Sequence, residues 1–310
     1  MRTIFTLFAI FMLAISSFAA DLWVDIDAAD TTGTGTISSP LKYIGQTRHK
    51  TSANSVVHIM PGTYDESAYG NKVYANIIGT TTDKTGMKYI AEGKGVLVTY
   101  SEVQTGVKFA DSCYDIEFRG INFGNFASTS SQYIDDAYGY LKFISCSFDN
   151  HASYSTTILD RDHNTSTYFF DCSFGDCNNA ILGDTYDLSP SLVVFDQCTF
   201  GSEVNAILET FAALGGLASV KLNNSIVNAT KIVKDTATSH PATFTINNCI
   251  YYGPTDAAVF TWTNSILNTD AVITWDTEFL RFNISASSSA WGLSSRGTEA
   301  GCLQPGFEIY

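Results

Sequence analysis

The chain has 310 residues and carries 17 lysines and arginines against 31 aspartates and glutamates, a formal net charge of −14. With no basic stripe along it, that balance argues against nucleic acid as a partner, because such binding rests on Lys and Arg neutralising phosphates. Charged residues are sparse while Ser, Thr, Asn, Gly and aromatics are plentiful, a mix that suits one or two β-rich extracellular domains with many turns.

The first element is not part of the fold. Arg2 precedes a mostly apolar run from Ile4 to Ile15, and Ser17-Phe18-Ala19 places small residues at the −3 and −1 positions of a cleavage site. Residues 1–19 therefore read as a secretory signal peptide, too short to span a bilayer, which needs about 20 apolar residues. The expectation is an exported protein, secreted or extracellular/periplasmic, that meets a membrane only transiently through this segment.

Further along, short phrases recur. FRGINF (Phe118 to Phe123), LKFISCSF (Leu141 to Phe148), FFDCSF (Phe169 to Phe174), FDQCTF (Phe195 to Phe200), LNNSIV (Leu222 to Val227) and INNCIY (Ile246 to Tyr251) align on one slot. That slot holds Ile121, Cys146, Cys172, Cys198, Ser225 and Cys249, at steps of 25, 26, 26, 27 and 24 residues. A fixed period in this range marks a stacked-repeat architecture. Each unit alternates apolar and polar residues as strands do, with no helical period. The residue before the slot is Gly120, Ser145, Asp171, Gln197, Asn224 or Asn248, mostly types that accept a left-handed backbone at a tight corner. Each unit is thus strand, corner, strand and a longer return.

A second apolar column keeps step with the first: Phe109, Ile134, Leu159, Leu182, Leu208, Val233 and Phe260. The reading is an all-β coil of roughly 25 residues per turn, its turns stacking strands about 4.8 Å apart into parallel sheets. The slot cysteines then form a file through the core. A linear file cannot converge on a tetrahedral metal; disulfides between rungs are within reach, but the preferred reading is small buried hydrophobes.

The opening segment LWVDIDAADTTGTGTISSPLKYI, followed by VVHIMPGTY (Val56 to Tyr64), and the ending AGCLQPGFEIY add to the repeat. Together they resemble the right-handed parallel β-helix proteins of the pectate-lyase-like superfamily, in particular secreted bacterial members. The resemblance covers essentially the whole mature chain. It implies one β-helix domain over residues 20–310, with an N-terminal cap at 20–55 and a closing segment at 261–310.

Where the second column gives way to loops, carboxylates emerge coil after coil. The pairs are Ala110-Asp111, Asp135-Asp136, Asp160-Arg161, Gly183-Asp184, Glu209-Thr210 and Lys234-Asp235, with Asp162, His163 and Asp187 close by. Two carboxylates about 5 Å apart repel by roughly 3 kcal/mol at an effective dielectric of 20. Raised pKa values, pairing with Arg161 or Lys234, bound calcium or splaying into water would relieve that. The resemblance implies chemistry of two kinds: hydrolysis by paired Asp residues with a His, or lyase action with acidic calcium ligands and a basic residue. Neither family motif is present as such.

The expected function is binding, with possible lyase or hydrolase cleavage, of an extended polysaccharide. Asp160, Arg161, Asp162, His163 and Asp184 are the candidate catalytic residues. Tyr133, Tyr138, Tyr186, Glu209 and Lys234 are the candidate substrate contacts, with Tyr140 and Tyr154 in the same loops. Asp135, Asp136, Asp160 and Asp184 are the candidate Ca2+ ligands. The rival reading is a non-catalytic surface or adhesive rod.

Overall fold

A computed structural model describes residues 19–29, 32–66, 84–100, 105–108, 113–126, 132–135, 139–151, 157–160, 165–175, 177–183, 191–210, 218–235, 243–251, 253–256, 260–267, 273–276 and 281–284. Among these residues the chain winds through three parallel sheets of ten, nine and six strands. The fold is a parallel β-helix.

The first sheet stacks Asp21–Val24, Val56–Ile59, Lys88–Ala91, Ile116–Arg119, Gly139–Ile144, Thr165–Phe170, Ser191–Asp196, Ala218–Asn223, Thr243–Asn247 and Trp262–Thr263. The second runs from Gly62–Asp65 to Ile266–Leu267, and the third from Thr105–Lys108 to Lys231–Asp235. The ladder Phe118, Phe143, Phe169, Phe195, Leu222, Ile246 advances by 25, 26, 26, 27 and 24 residues, the period of the repeat.

The corners form as their residue types suggest. Gly120, Ser145, Asp171, Gln197, Asn224 and Asn248 all have positive φ, between 50° and 70°, and Asn264 adds another at 48°. Each left-handed residue ends a first-sheet strand and turns the chain into the second. The Ser145 hydroxyl donates to Asp171 Oδ2 at 2.9 Å and Asn248 Nδ2 to Asn224 Oδ1 at 3.3 Å, so neighbouring corners brace one another.

Inside, alternate side chains of each strand face the core, which is dominated by two aromatic files. Phe118, Phe143, Phe169 and Phe195 stack with centroids 5.0–5.2 Å apart. Phe123, Phe148, Phe174 and Phe200 stack at 4.8–5.3 Å. The files meet edge to face, as between Phe169 and Phe174 at 73°. Each such pair contributes about 0.5–1.5 kcal/mol beyond its buried area.

The slot cysteines behave as small core residues. Cys146, Cys172, Cys198 and Cys249 are buried free thiols. Each points its sulfur at a carbonyl of the preceding coil: Phe118, Phe143, Phe169 and Leu222 in turn.

The N-terminal segment carries both a strand and a short helix. Asp21–Val24 is already the first rung of the first sheet, and the short helix over Ile44–His49 is a 3-10 helix. Met60 and Pro61 separate the strand Val56–Ile59 from the next one, Gly62–Asp65, which belongs to the second sheet. Past residue 261, Trp262–Thr263 and Ile266–Leu267 each add a rung, and Ile273–Asp276 with Arg281–Ile284 forms a separate antiparallel pair.

Candidate functional site

The third sheet carries the acidic column read from the sequence, in a corrected register. Ile134 pairs with Leu159 as expected, but Leu159 pairs with Ile181 rather than Leu182, and Ile134 pairs below with Val107 rather than Phe109. Ile181 and Leu182 are both apolar, so the sequence column tolerates either. A slip of one residue, however, moves every side chain to the opposite face of a strand.

The position beyond the apolar column then reads Lys108, Asp135, Asp160, Leu182, Glu209 and Lys234. Asp135 and Asp160 each directly follow the Ile134–Leu159 pair. Among the described residues, Leu182 falls between Asp160 and Glu209 at this register position, and Lys108 and Lys234 stand at its ends. Tyr133 lies on the strand Gln132–Asp135. Asp136, Tyr138, Arg161, Asp162, His163, Asp184 and Tyr186 lie outside the described residues.

A groove missed by the sequence reading opens where the third sheet hands over to the first. It has a volume of about 600 Å³ and is floored by Lys88, Glu117, Lys142 and Tyr168. These four occupy consecutive rungs of the first sheet in strict register. Its rim is formed by Asn54, Gly86, Asp115 and Tyr140.

The rim is built by a second set of corners, with Asn54, Gly86 and Asp115 at φ of 60°, 71° and 55°. Gly86 suits this corner, since its φ lies where other residues are strained and a Cβ there would displace Asn54 Oδ1. On the floor, Glu117 accepts a 2.7 Å hydrogen bond from Arg119 Nη2 two residues along. Glu117 thus sits between lysines on the rungs to either side and is held from a third direction by Arg119. Tyr140 is 52% exposed and offers a ring at the mouth.

Groove and acidic column share one corner of the coil. Only residues 136–138 separate Asp135 from the strand Gly139–Ile144, and only 161–164 separate Asp160 from Thr165–Phe170. A sequence signal for the groove did exist. Stepping one residue back from Phe118, Phe143 and Phe169 lands on Glu117, Lys142 and Tyr168, the outward neighbours of the aromatic file.

Toward the N-terminal end of the same sheet face lies a second cluster. Trp23 stacks on His58 with ring centroids 4.5 Å apart and planes 14° from parallel. His58 Nδ1 is 2.6 Å from Glu92 Oε1, and its Nε2 is 4.0 Å from Asp21 Oδ1.

Among the described residues, no group of three or more His, Cys, Asp and Glu side chains could hold a metal ion. No helix among them is long and apolar enough to cross a membrane.

No family model matches the chain, and no curated protein matches it. Solved structures similar to it include a rhamnogalacturonan lyase, at TM-score 0.38 and 12% identity over 84% of this chain and 92% of that one. A pectin methylesterase from Aspergillus niger aligns at TM-score 0.41 and 12% identity, over 86% of this chain and 94% of that one. Likeness at this level carries no argument about chemistry. The fold rests on the strand register.

Proposed function

We propose that the protein binds an extended acidic polysaccharide in the groove on its first sheet. The observation that carries this reading is the registered row Lys88, Glu117, Lys142 and Tyr168 beneath the exposed ring of Tyr140. Two ammonium groups two rungs apart suit carboxylates along a sugar chain. The flanking carboxylates Asp115 and Glu117 accept hydrogen bonds from sugar hydroxyls. Tyrosine rings match a pyranose with an apolar face and a polar edge.

Cleavage, by elimination or hydrolysis, belongs in this reading to the adjoining corner. Asp160, Arg161, Asp162, His163 and Asp184 are the proposed acid, base and assisting groups. Asp135, Asp136, Asp160 and Asp184 are the proposed calcium ligands, and Tyr133, Tyr138, Tyr186, Glu209 and Lys234 the flanking contacts. Export, as the N-terminal segment suggests, would bring the protein to such polymers.

The test is retention of polygalacturonate, alginate and chondroitin in affinity electrophoresis by the wild type and Lys142→Ala. It is paired with ultraviolet detection of unsaturated ends, with and without calcium, and a reducing-end assay. Retention of one polymer, weakened about tenfold by Lys142→Ala as for loss of a charge-assisted hydrogen bond, supports the groove. Retention of none refutes it. Retention without either cleavage signal assigns the protein to the non-catalytic class.

A further inference from the structure

The groove covers part of a longer row of outward-facing positions. Asp21, Val56, Lys88, Glu117, Lys142 and Tyr168 are consecutive register partners across six strands of the first sheet. The parallel row two residues along begins Trp23, His58, Ile90 and Arg119. The Trp23–His58 cluster therefore adjoins the row that floors the groove and lies at its N-terminal end.

The cluster has unused hydrogen-bonding capacity facing outward. Glu92 Oε1 engages His58 Nδ1 at 2.6 Å and so fixes the ring, leaving Nε2 as the working atom. Nε2 stands 4.0 Å from Asp21 Oδ1, beyond hydrogen-bonding distance, and the Asp21 side chain is 73% exposed. A gap of that width between a ring nitrogen and a carboxylate admits a hydroxyl oxygen that hydrogen-bonds to both.

Trp23 supports the ring from the rung below. Because Trp23 stacks on it from the neighbouring rung, the imidazole presents its edge to a ligand, which favours hydrogen bonding over ring stacking. Asp21 and Glu92 would repel an anionic unit here, in contrast to the ammonium groups of Lys88 and Lys142 farther along.

We propose that Asp21 and His58, with Glu92 and Trp23 positioning the imidazole, form a second contact point that takes an uncharged, hydroxyl-bearing unit of the same sugar chain. This rests on the groove being the polysaccharide site. It follows that the ligand runs across the strands, along the stack of coils. Five rung steps of about 4.8 Å give a footprint of about 24 Å, and with one pyranose per rung the site spans about six units.

The test measures binding by isothermal titration of oligogalacturonides, or oligomers of whichever screened polymer is retained, graded from dimer to octamer. The proteins are the wild type, Asp21→Asn, His58→Gln and Lys142→Ala, each checked for an unchanged unfolding midpoint. The wild type should gain affinity up to about the hexamer and then level off. Asp21→Asn and His58→Gln should remove that gain, lowering hexamer affinity about five- to tenfold toward the value for short oligomers. Lys142→Ala should weaken every length.

If Asp21→Asn and His58→Gln bind all lengths like the wild type, or weaken all lengths equally while Lys142→Ala weakens binding as expected, the second contact is refuted and the groove stands. If the wild type binds no oligomer and retains no polymer, the groove itself is refuted and this contact with it.

Discussion

The Glu66 carboxylate ties the second sheet to the start of the 3-10 helix, accepting the Ile44 N–H at 2.7 Å and the Gly45 N–H at 2.8 Å. Burial pushes this carboxyl up to about 7 from an ordinary 4.5, against the opposing pull of the two N–H donors. Between those two values the unfolded chain has lost the proton that the folded chain keeps. The folded state therefore binds more protons, and the stability of the wild type falls as pH rises from about 4.5 to about 7. The expected drop is on the order of 3 kcal/mol at most. Urea unfolding across this range should show the decline, and Glu66→Gln should flatten it. An identical slope in both proteins would show that Glu66 is not its source.

Phe169 touches aromatic rings on three sides, stacking on Phe143 and Phe195 and meeting Phe148 and Phe174 edge-on. Phe169→Ala should cost about 3–5 kcal/mol, because neighbours held in a sheet ladder collapse little into the space left behind. Phe169→Leu should cost clearly less. Equilibrium denaturation of both variants measures the difference.

The four slot thiols should resist alkylation in the native protein. Burial pushes the Cys146 and Cys172 thiols well above their ordinary range and Cys249 up to about 12, so little reactive thiolate exists and none of it meets solvent. Iodoacetamide labelling read by peptide mass spectrometry should leave these four unmodified until denaturant is added. Rapid native labelling of Cys172 would contradict the packing described.

Asp160 and Lys142 should separate chemistry from binding. If the retained polymer is cleaved, Asp160→Asn should lower kcat by about 10²-fold or more, the loss expected for a general acid or base. Its affinity should stay within about twofold, a change of less than half a kcal/mol. Lys142→Ala should show the reverse, with affinity reduced about tenfold and turnover at saturation little changed. Equal losses of both parameters in both variants would merge the two sites into one.

The architecture was legible because the repeat writes itself into local chemistry. A left-handed corner demands a small set of residue types, and an aromatic file demands Phe at a constant spacing, so Ser145, Asp171 and Asn224 or Phe143 and Phe169 announce their places. The third sheet was less legible at Ile181 and Leu182, where two apolar residues in succession hide which one faces inward. The groove was hidden for a different reason. Lys88, Glu117, Lys142 and Tyr168 share no residue type, and each looks like an ordinary solvent-facing strand position until the coils are laid over one another. Asp135 and Asp160 drew attention through likeness of charge, yet their column also contains Leu182.

Both aromatic files stop at the same level: Phe195 is followed by Leu222 and Phe200 by Val227. Coils in a solenoid are stabilised by their nearest neighbours, so the rod is graded in hardness along its length. Tension applied from the C-terminal end should peel away first the coils where Leu222, Val227 and Ile246 take the file positions, and then stall where the phenylalanines begin. The groove, whose floor runs from Lys88 to Tyr168, lies on the side of that boundary that yields last.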